Sequence, residues 1–199
     1  MIGLNLFNSI KRNHGSYASW AVWAPVGEKP KSNMANMSVF DLDENPGLLA
    51  LLKPNVLMVG LNFSRNERNL EPFGNFHDPY SGANDFKIRF AFKDTEYYGA
   101  YMTDVIKNHV MLDSKDVLKH LKANPSMVKE HVEWFRRELR DLKCHAPVIL
   151  AFGADAWRLL HENLEKSEYA SLVKLTHYSH QISKEKYRAE VLSQIAGAR

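Results

Sequence analysis

The chain has 199 residues, of which 45% are hydrophobic and 25% are charged, and this composition is typical of one globular domain with a single sizeable core. Its formal net charge of +3 is compatible with a nucleic-acid partner but does not require one. The single cysteine, Cys144, excludes a disulfide framework and a cysteine-held zinc or iron–sulfur site, because each needs several thiolates.

We interpret residues 1–54 as an N-terminal cover of short helices and loops. The first 13 residues place lysine and arginine after their apolar residues, which is the reverse of a signal peptide. No apolar run in the chain approaches the roughly 20 residues that span a bilayer. Together with the single cysteine, these features predict a cytoplasmic protein without a membrane partner.

Four short apolar or β-branched runs follow the cover, and they are typical of buried strands. They are residues 55–62 (NVLMVGLN), 99–106 (GAYMTDVI), 146–153 (APVILAFG) and 172–178 (LVKLTHY). Helical patterns alternate with the later strands, at residues 114–122, 126–142, 154–165 and 183–195. This alternation predicts an α/β domain over residues 1–199, in which a parallel sheet carries helices on both faces.

Polar side chains lie where three of the predicted strands end, at Asn62, Asp104 and His177. In an open parallel sheet, ligands bind beyond the carboxyl ends of the strands, because the loops there vary while the sheet holds them in place. The three residues are therefore predicted to form the rim of a binding site. The alternative is structural, since Asn and Asp commonly cap turns and helices and a histidine can cap a strand end.

The sequence also limits the kinds of site that are expected. Gly60 stands alone, without the glycine patterns of dinucleotide-binding or triphosphate-binding loops. The nine histidines include no H-E-x-x-H motif, and His177 with His180 has no nearby acidic partner of obvious role. A metalloenzyme is therefore the weakest alternative, and we expect neither a metal nor a cofactor.

An ordered set of motifs from Val56 to the C-terminal helix resembles the uracil-DNA glycosylase superfamily. Residues 60–62 (GLN) look like the Gly-Ile-Asn-Pro or Gly-Met-Asn-Pro motif, and residues 176–180 (THYSH) are similar to His-Pro-Ser-Pro. Residues 101–107 (YMTDVIK) are similar to a Tyr-Ile-Thr-Asn-Val-Val-Lys stretch of the thermophile-type branch. Among the departures of the chain from these patterns are Phe63 and Tyr178 in place of prolines and Asp104 in place of asparagine.

The resemblance implies a three-layer α/β/α sandwich with a central four-stranded parallel β-sheet. It also implies a DNA glycosylase that rotates a damaged or deaminated base out of DNA and hydrolyses its N-glycosidic bond. The expected partner is single- or double-stranded DNA, and the expected oligomeric state is a monomer. A non-catalytic nucleic-acid or nucleobase-binding relative of the same fold is the alternative, because a fold does not by itself determine a function.

The resemblance further assigns roles to single residues. Asn62 would place the attacking water, and His177 would donate a hydrogen bond to the carbonyl oxygen of the departing base. The residues predicted to bind the base are Gly60, Leu61, Phe63, Phe76 and Asp104, with Phe76 as the aromatic platform and core packing as the favoured role of Phe63. The residues predicted to contact DNA are Ser64, Arg65, Ser179, His180, Gln181 and Ile182. Gln181 and Ile182 occupy the region of the side chain that, in the family, fills the space left by the flipped nucleotide.

Asp104 is the most consequential departure, because an ionised carboxylate only accepts hydrogen bonds whereas an amide also donates. Three outcomes follow for its role. Burial raises its pKa so that a protonated carboxyl again donates, or the preferred base presents two donors, or Asp104 turns away and helps to activate water. Altered base specificity is the outcome that we favour.

Overall fold

A mixed β-sheet runs through the computed structural model of the chain, which describes residues 2–62, 71–107 and 114–198. Within these residues the sheet has five strands, namely β1 (Ser19–Trp20), β2 (Lys53–Asn62), β3 (Ala100–Ile106), β4 (Val148–Phe152) and β5 (Ser171–Leu175). Their order across the sheet is β1-β3-β2-β4-β5. The chain is an α/β protein, as predicted.

Strands β2 to β5 pair in parallel, and each overlaps one of the four predicted strands. The predicted four-stranded, all-parallel sheet is nevertheless wrong, because β1 adds a fifth, antiparallel strand at the edge. Ser19 and Trp20 pair there with Met102 and Tyr101 of β3. A strand of two residues is too short to produce an alternating pattern, so sequence periodicity does not reveal it.

Helices connect and cover these strands. In the described part of the chain they are α1 (Leu4–His14), α2 (Leu48–Leu51), α3 (Asp85–Phe92), α4 (Ser114–Ala123), α5 (Pro125–Asp141), α6 (Ala154–Asn163) and α7 (Lys184–Ala196). Helices α4 to α7 match the four predicted helical patterns. No helix in this part of the chain is long and apolar enough to cross a bilayer.

Two separate hydrophobic clusters lie on the two faces of the sheet. Leu57 and Val59 of β2 belong to a cluster that includes side chains of α5 and α6. Met58, which lies between them, belongs to a cluster with side chains of α3 and α7. Because successive residues of a strand point to opposite faces, helices cover both faces of the sheet, as the alternation of strands and helices predicted.

A buried ion pair joins the end of β3 to helix α5. The Nζ of Lys107 lies 2.5 Å from a carboxylate oxygen of Glu138, and the two side chains are 1% and 0% exposed. Glu138 also accepts hydrogen bonds from the hydroxyls of Tyr101 at 2.7 Å and Thr103 at 3.0 Å. The same Nζ donates to the backbone carbonyl oxygen of Asp104 at 2.6 Å. The pair therefore holds the backbone of β3 at a predicted site residue.

We predict that Lys107→Met lowers the free energy of unfolding by about 3–5 kcal/mol, because it leaves the charge of Glu138 buried without its partner. The double variant Lys107→Met/Glu138→Gln should recover much of this loss, since it removes both charges and keeps an acceptor for Tyr101 and Thr103. Urea denaturation of the wild type and both variants measures these differences. A double variant as unstable as Lys107→Met would contradict this account of the pair.

Candidate functional site

A cleft of about 500 Å³ opens at the carboxyl ends of the parallel strands. The three predicted rim residues Asn62, Asp104 and His177 all line it. The remaining walls come from residues 78–85 and from the start of α6. The structure thus brings together three polar residues that are far apart in the sequence, at the place where an open α/β sheet binds its ligands.

The register of β2 and β3 sets the position of Asp104 in this cleft. Gly60 lies directly beside Asp104 in the parallel pairing. A Cβ atom at Gly60 would lie 2.2 Å from Oδ1 of Asp104, a distance at which the two atoms would overlap. Gly60, which was predicted to contact the base, is therefore required for the approach of the Asp104 carboxyl to the backbone of β2.

The surroundings of Asp104 favour its protonated form. The residue is 4% exposed, and its burial raises the pKa of the carboxyl to about 7. The hydrogen bond from Asn75 and the charge of Lys107 act in the opposite direction, while Glu138 and Asp85 add to the increase in pKa. A carboxyl that is partly protonated near neutral pH supports the first of the three outcomes expected for this aspartate.

Asn75 is a site residue that the sequence patterns do not indicate. Its Nδ2 donates to Oδ2 of Asp104 at 2.9 Å and to the backbone carbonyl oxygen of Tyr17 at 2.7 Å. Its Oδ1 accepts from the backbone N–H of Phe76 at 3.0 Å. An asparagine in a loop is ordinarily interpreted as a turn residue, so only the tertiary structure reveals that Asn75 binds Asp104.

The loop that carries Asn75 is attached to the N-terminal segment. The hydroxyl of Ser19 donates to the backbone carbonyl oxygen of Phe73 at 2.6 Å, and Nε2 of His77 donates to the carbonyl oxygen of Val22 at 2.9 Å. With the bond from Asn75 to Tyr17, these contacts hold residues 73–77 against residues 17–22. The predicted N-terminal cover therefore supports the loop whose Asn75 binds Asp104.

His177 lies two residues beyond β5 and presents a neutral ring. The backbone N–H of Ser179 donates to Nδ1 of His177 at 3.1 Å, so the proton of the neutral ring is on Nε2. The hydroxyl of Ser179 lies 2.7 Å from the same Nδ1 atom. Burial lowers the pKa of His177 to about 4, and the ring is therefore an uncharged hydrogen-bond donor at physiological pH.

Gly153 allows the approach of His177 to the start of α6. Its φ angle is +89°, a conformation that glycine adopts without strain. A Cβ atom at this position would lie 3.3 Å from Cδ2 of the His177 ring. The turn from β4 into α6 and the position of the histidine are thus linked through one glycine.

Tyr178 occupies the position of a motif proline and packs against three rings. It stacks on His177 with centroids 4.3 Å apart, and it meets Phe152 and Phe76 edge-on at 5.3 Å and 6.5 Å. Tyr178 and Phe152 line the cleft, whereas Phe76 is 4% exposed and belongs to the hydrophobic core. Phe76, the predicted aromatic platform, therefore lies in the core next to Gly60, whereas Tyr178 lines the cleft.

The structure places the other predicted residues in several environments. Leu61 belongs to the hydrophobic core and also lines the cleft. Asn62, the next residue, is half-buried at the end of β2. His180 and Gln181 are exposed, while Ile182 is half-buried and packs against the core. The backbone carbonyl oxygen of His180 accepts from Nζ of a lysine on α3, Lys87, at 2.7 Å. Three predicted residues lie outside the described part of the chain, namely Phe63, Ser64 and Arg65.

Four aspartates among the described residues line the cleft, namely Asp78, Asp85, Asp104 and Asp155. A carboxylate oxygen of Asp85 accepts from the backbone N–H of Asp78 at 2.9 Å, and Asp155 forms an ion pair of 2.8 Å with Arg158. Asp85 begins α3, where a negative charge favours the helix N-terminus. Asp85 thus connects the start of α3 to the backbone at Asp78, and Asp155 pairs within α6; none of these three aspartates was predicted as a site residue.

A cleft of similar size, about 540 Å³, opens at the amino ends of the strands near Lys53 and Arg89. The guanidinium of Arg89 donates to three backbone carbonyl oxygens, those of Ala24, Pro30 and Ser32. Its charge is therefore used to hold the adjoining loop. Because no predicted site residue in the described part of the chain lines this cleft, the cleft at the carboxyl ends is the better candidate.

Comparisons of the chain with family models, with curated proteins and with solved structures find no match.

We predict that the stability of the wild type relative to Asp104→Asn falls as the pH rises from about 4 to about 7. The folded state raises the pKa of this carboxyl from 3.8 to about 7, so between these values the folded state binds more protons than the unfolded state. The total decrease should be on the order of 4 kcal/mol at most. Urea denaturation at a series of pH values measures it, and a constant difference across the range would contradict the raised pKa.

Proposed function

We propose that this chain is a DNA glycosylase that hydrolyses the N-glycosidic bond of a damaged or deaminated base, on a three-layer α/β/α fold. The observation that carries the proposal is the convergence of Asn62, Asp104 and His177 on one cleft at the carboxyl ends of the parallel strands. Their order along the chain is the order of the motifs that resemble the uracil-DNA glycosylase superfamily. The cleft would receive a base rotated out of the DNA stack.

The proposed reaction develops positive charge on the sugar and negative charge on the departing base. It therefore needs a group that orients water below the sugar and a donor that meets the charge forming on a base oxygen. Asn62 carries an amide, which orients water without removing its proton. His177 carries a neutral ring with its proton on Nε2, and a neutral donor is available across the physiological pH range.

The alternative is a non-catalytic protein that binds a nucleobase in the same cleft. Among the described residues that line the cleft there is no lysine or arginine, whereas four aspartates are present. Phosphate contacts dominate the affinity of proteins for DNA, so this lining favours a free base over a DNA backbone. The predicted contact residues Ser64 and Arg65 lie two and three residues after Asn62, outside the described residues.

One experiment separates the two functions. The protein is incubated with labelled oligonucleotides that carry uracil, thymine opposite guanine, hypoxanthine, xanthine or alkylated bases, and alkali then cleaves any abasic sites. Strand breaks at any base establish a glycosylase. Intact strands together with measurable binding of a free base would favour the binding protein.

For a base that is excised, we predict that Asn62→Ala lowers the single-turnover rate by about 10²-fold or more and changes DNA affinity by only a few-fold. The reason is that the amide acts on water in the transition state and makes no contribution to binding the duplex. Single-turnover excision and a DNA titration give the two quantities. Parallel losses of rate and affinity would refute this role for Asn62.

We predict that His177→Ala raises the barrier to excision by about 2 to 4 kcal/mol, because it removes the donor to the developing charge on the base. His145→Ala provides the control, since His145 is an exposed histidine that precedes β4, at the end of the strand opposite the cleft. Single-turnover rates of both variants are compared with that of the wild type. An unchanged rate for His177→Ala would show that His177 has a structural role and does not donate to the departing base.

A further inference from the structure

The two carboxyl oxygens of Asp104 have different environments. Oδ2 accepts the hydrogen bond from Asn75 at 2.9 Å. Oδ1 lies over Gly60 and accepts no hydrogen bond from the described residues, although Asp104 is 4% exposed and lines the cleft. Oδ2 is occupied by Asn75, so Oδ1 is the carboxyl oxygen that a ligand in the cleft could bind.

The contacts of Asn75 fix the orientation of its amide. Oδ1 of Asn75 accepts from the backbone N–H of Phe76, and Nδ2 donates to the backbone carbonyl oxygen of Tyr17. A rotated amide would direct its oxygen at the Tyr17 carbonyl and its NH₂ group at the Phe76 N–H, and both hydrogen bonds would be lost. Nδ2 therefore always faces Asp104, and Oδ2 of Asp104 always serves as an acceptor.

We propose that Asn75 is a positioning residue that leaves Asp104 one oxygen, Oδ1, for a ligand, and that a protonated Oδ1 selects nucleobases with a carbonyl oxygen at the edge it meets. The identity of the ligand as a nucleobase rests on the function proposed above. The role of Asn75 rests on the hydrogen bonds alone.

The charges around Asp104 are consistent with a protonated Oδ1 in the filled cleft. Lys107 favours the ionised form, but its ammonium is bound to Glu138 and to the backbone carbonyl oxygen of Asp104. Glu138 and Asp85 both raise the pKa of Asp104, as does burial. A bound base displaces the water that remains beside Oδ1, and this loss of hydration disfavours the ionised carboxylate further.

The variant Asp104→Asn should imitate the protonated carboxyl. Because Nδ2 of Asn75 requires an acceptor, the oxygen of the introduced amide takes the position of Oδ2 and its NH₂ group takes the position of Oδ1. That NH₂ group donates to a carbonyl oxygen at every pH. The wild type and the variant should therefore behave alike at low pH and diverge as the wild-type carboxyl ionises.

The first test measures the binding of free uracil and free cytosine by NMR from about pH 6 to about pH 8. These bases differ at one edge, where uracil has a carbonyl oxygen and cytosine an amino group. We expect the wild type to lose uracil affinity about tenfold per pH unit once Asp104 ionises, and Asp104→Asn to keep a constant affinity. Uracil affinity that is independent of pH in the wild type, or a preference for cytosine at pH 6, would overturn the proposal.

The second test follows the Asp104 carboxyl by ¹³C NMR and needs no ligand or activity. Asn75→Ala removes a hydrogen bond that lowers the pKa of Asp104, so the pKa should rise further. The control Asn45→Ala removes an amide that donates to the carbonyl oxygen of Val39 at 3.0 Å, and it should leave the titration unchanged. An unchanged or lowered pKa in Asn75→Ala would overturn the positioning role.

The two tests separate this inference from the proposed function. If neither base binds, the recognition of a carbonyl oxygen by Oδ1 is overturned, whereas the excision assay on the oligonucleotide panel still decides the proposed function. The titration still decides the role of Asn75 in that case. If excision is absent but uracil binding falls with pH as expected, the inference stands and the non-catalytic alternative is supported.

Discussion

The ion pair between Lys107 and Glu138 fixes the backbone on which the candidate site is built. Its ammonium also binds the carbonyl oxygen of Asp104, so the end of β3 is joined to α5 through atoms that are almost fully buried. Two charges withdrawn from water lose hydration energy, and only such a close, hydrogen-bonded arrangement compensates for the loss. The register of β2 against β3 then sets the Asp104 carboxyl over Gly60, where any side chain would exclude it.

Burial shifts the pKa values of two groups of the cleft, Asp104 and His177, in opposite directions, and both shifts favour the uncharged form. It raises the pKa of Asp104 to about 7 and lowers the pKa of His177 to about 4. At neutral pH the cleft therefore presents a neutral imidazole and a partly protonated carboxyl. Neutral groups lose less hydration energy than ions when a ligand covers them, so the uncharged forms of these two side chains suit hydrogen bonds to uncharged polar groups.

The sequence predicted the parallel strands and the convergence of Asn62, Asp104 and His177, because both follow from local patterns and from the rule for strand ends. It did not predict α3, whose Lys87 and Arg89 are buried and bind backbone carbonyl oxygens, so the helix lacks a polar face. Asn75 was missed for a related reason. Its importance lies in contacts with residues up to 58 positions away, and no spacing in the sequence encodes them.

Residues 17–22 hold the loop of residues 73–77 in place, although they lie far from the cleft in the sequence. The amide that orients Asp104 is itself held by the carbonyl oxygen of Tyr17, and the flanking bonds from Ser19 and His77 keep the two segments together. The position of the Asp104 carboxyl thus depends both on the sheet and on the segment that precedes β2. Substitutions in residues 17–22 can therefore change the orientation of the Asp104 carboxyl without changing any residue that lines the cleft.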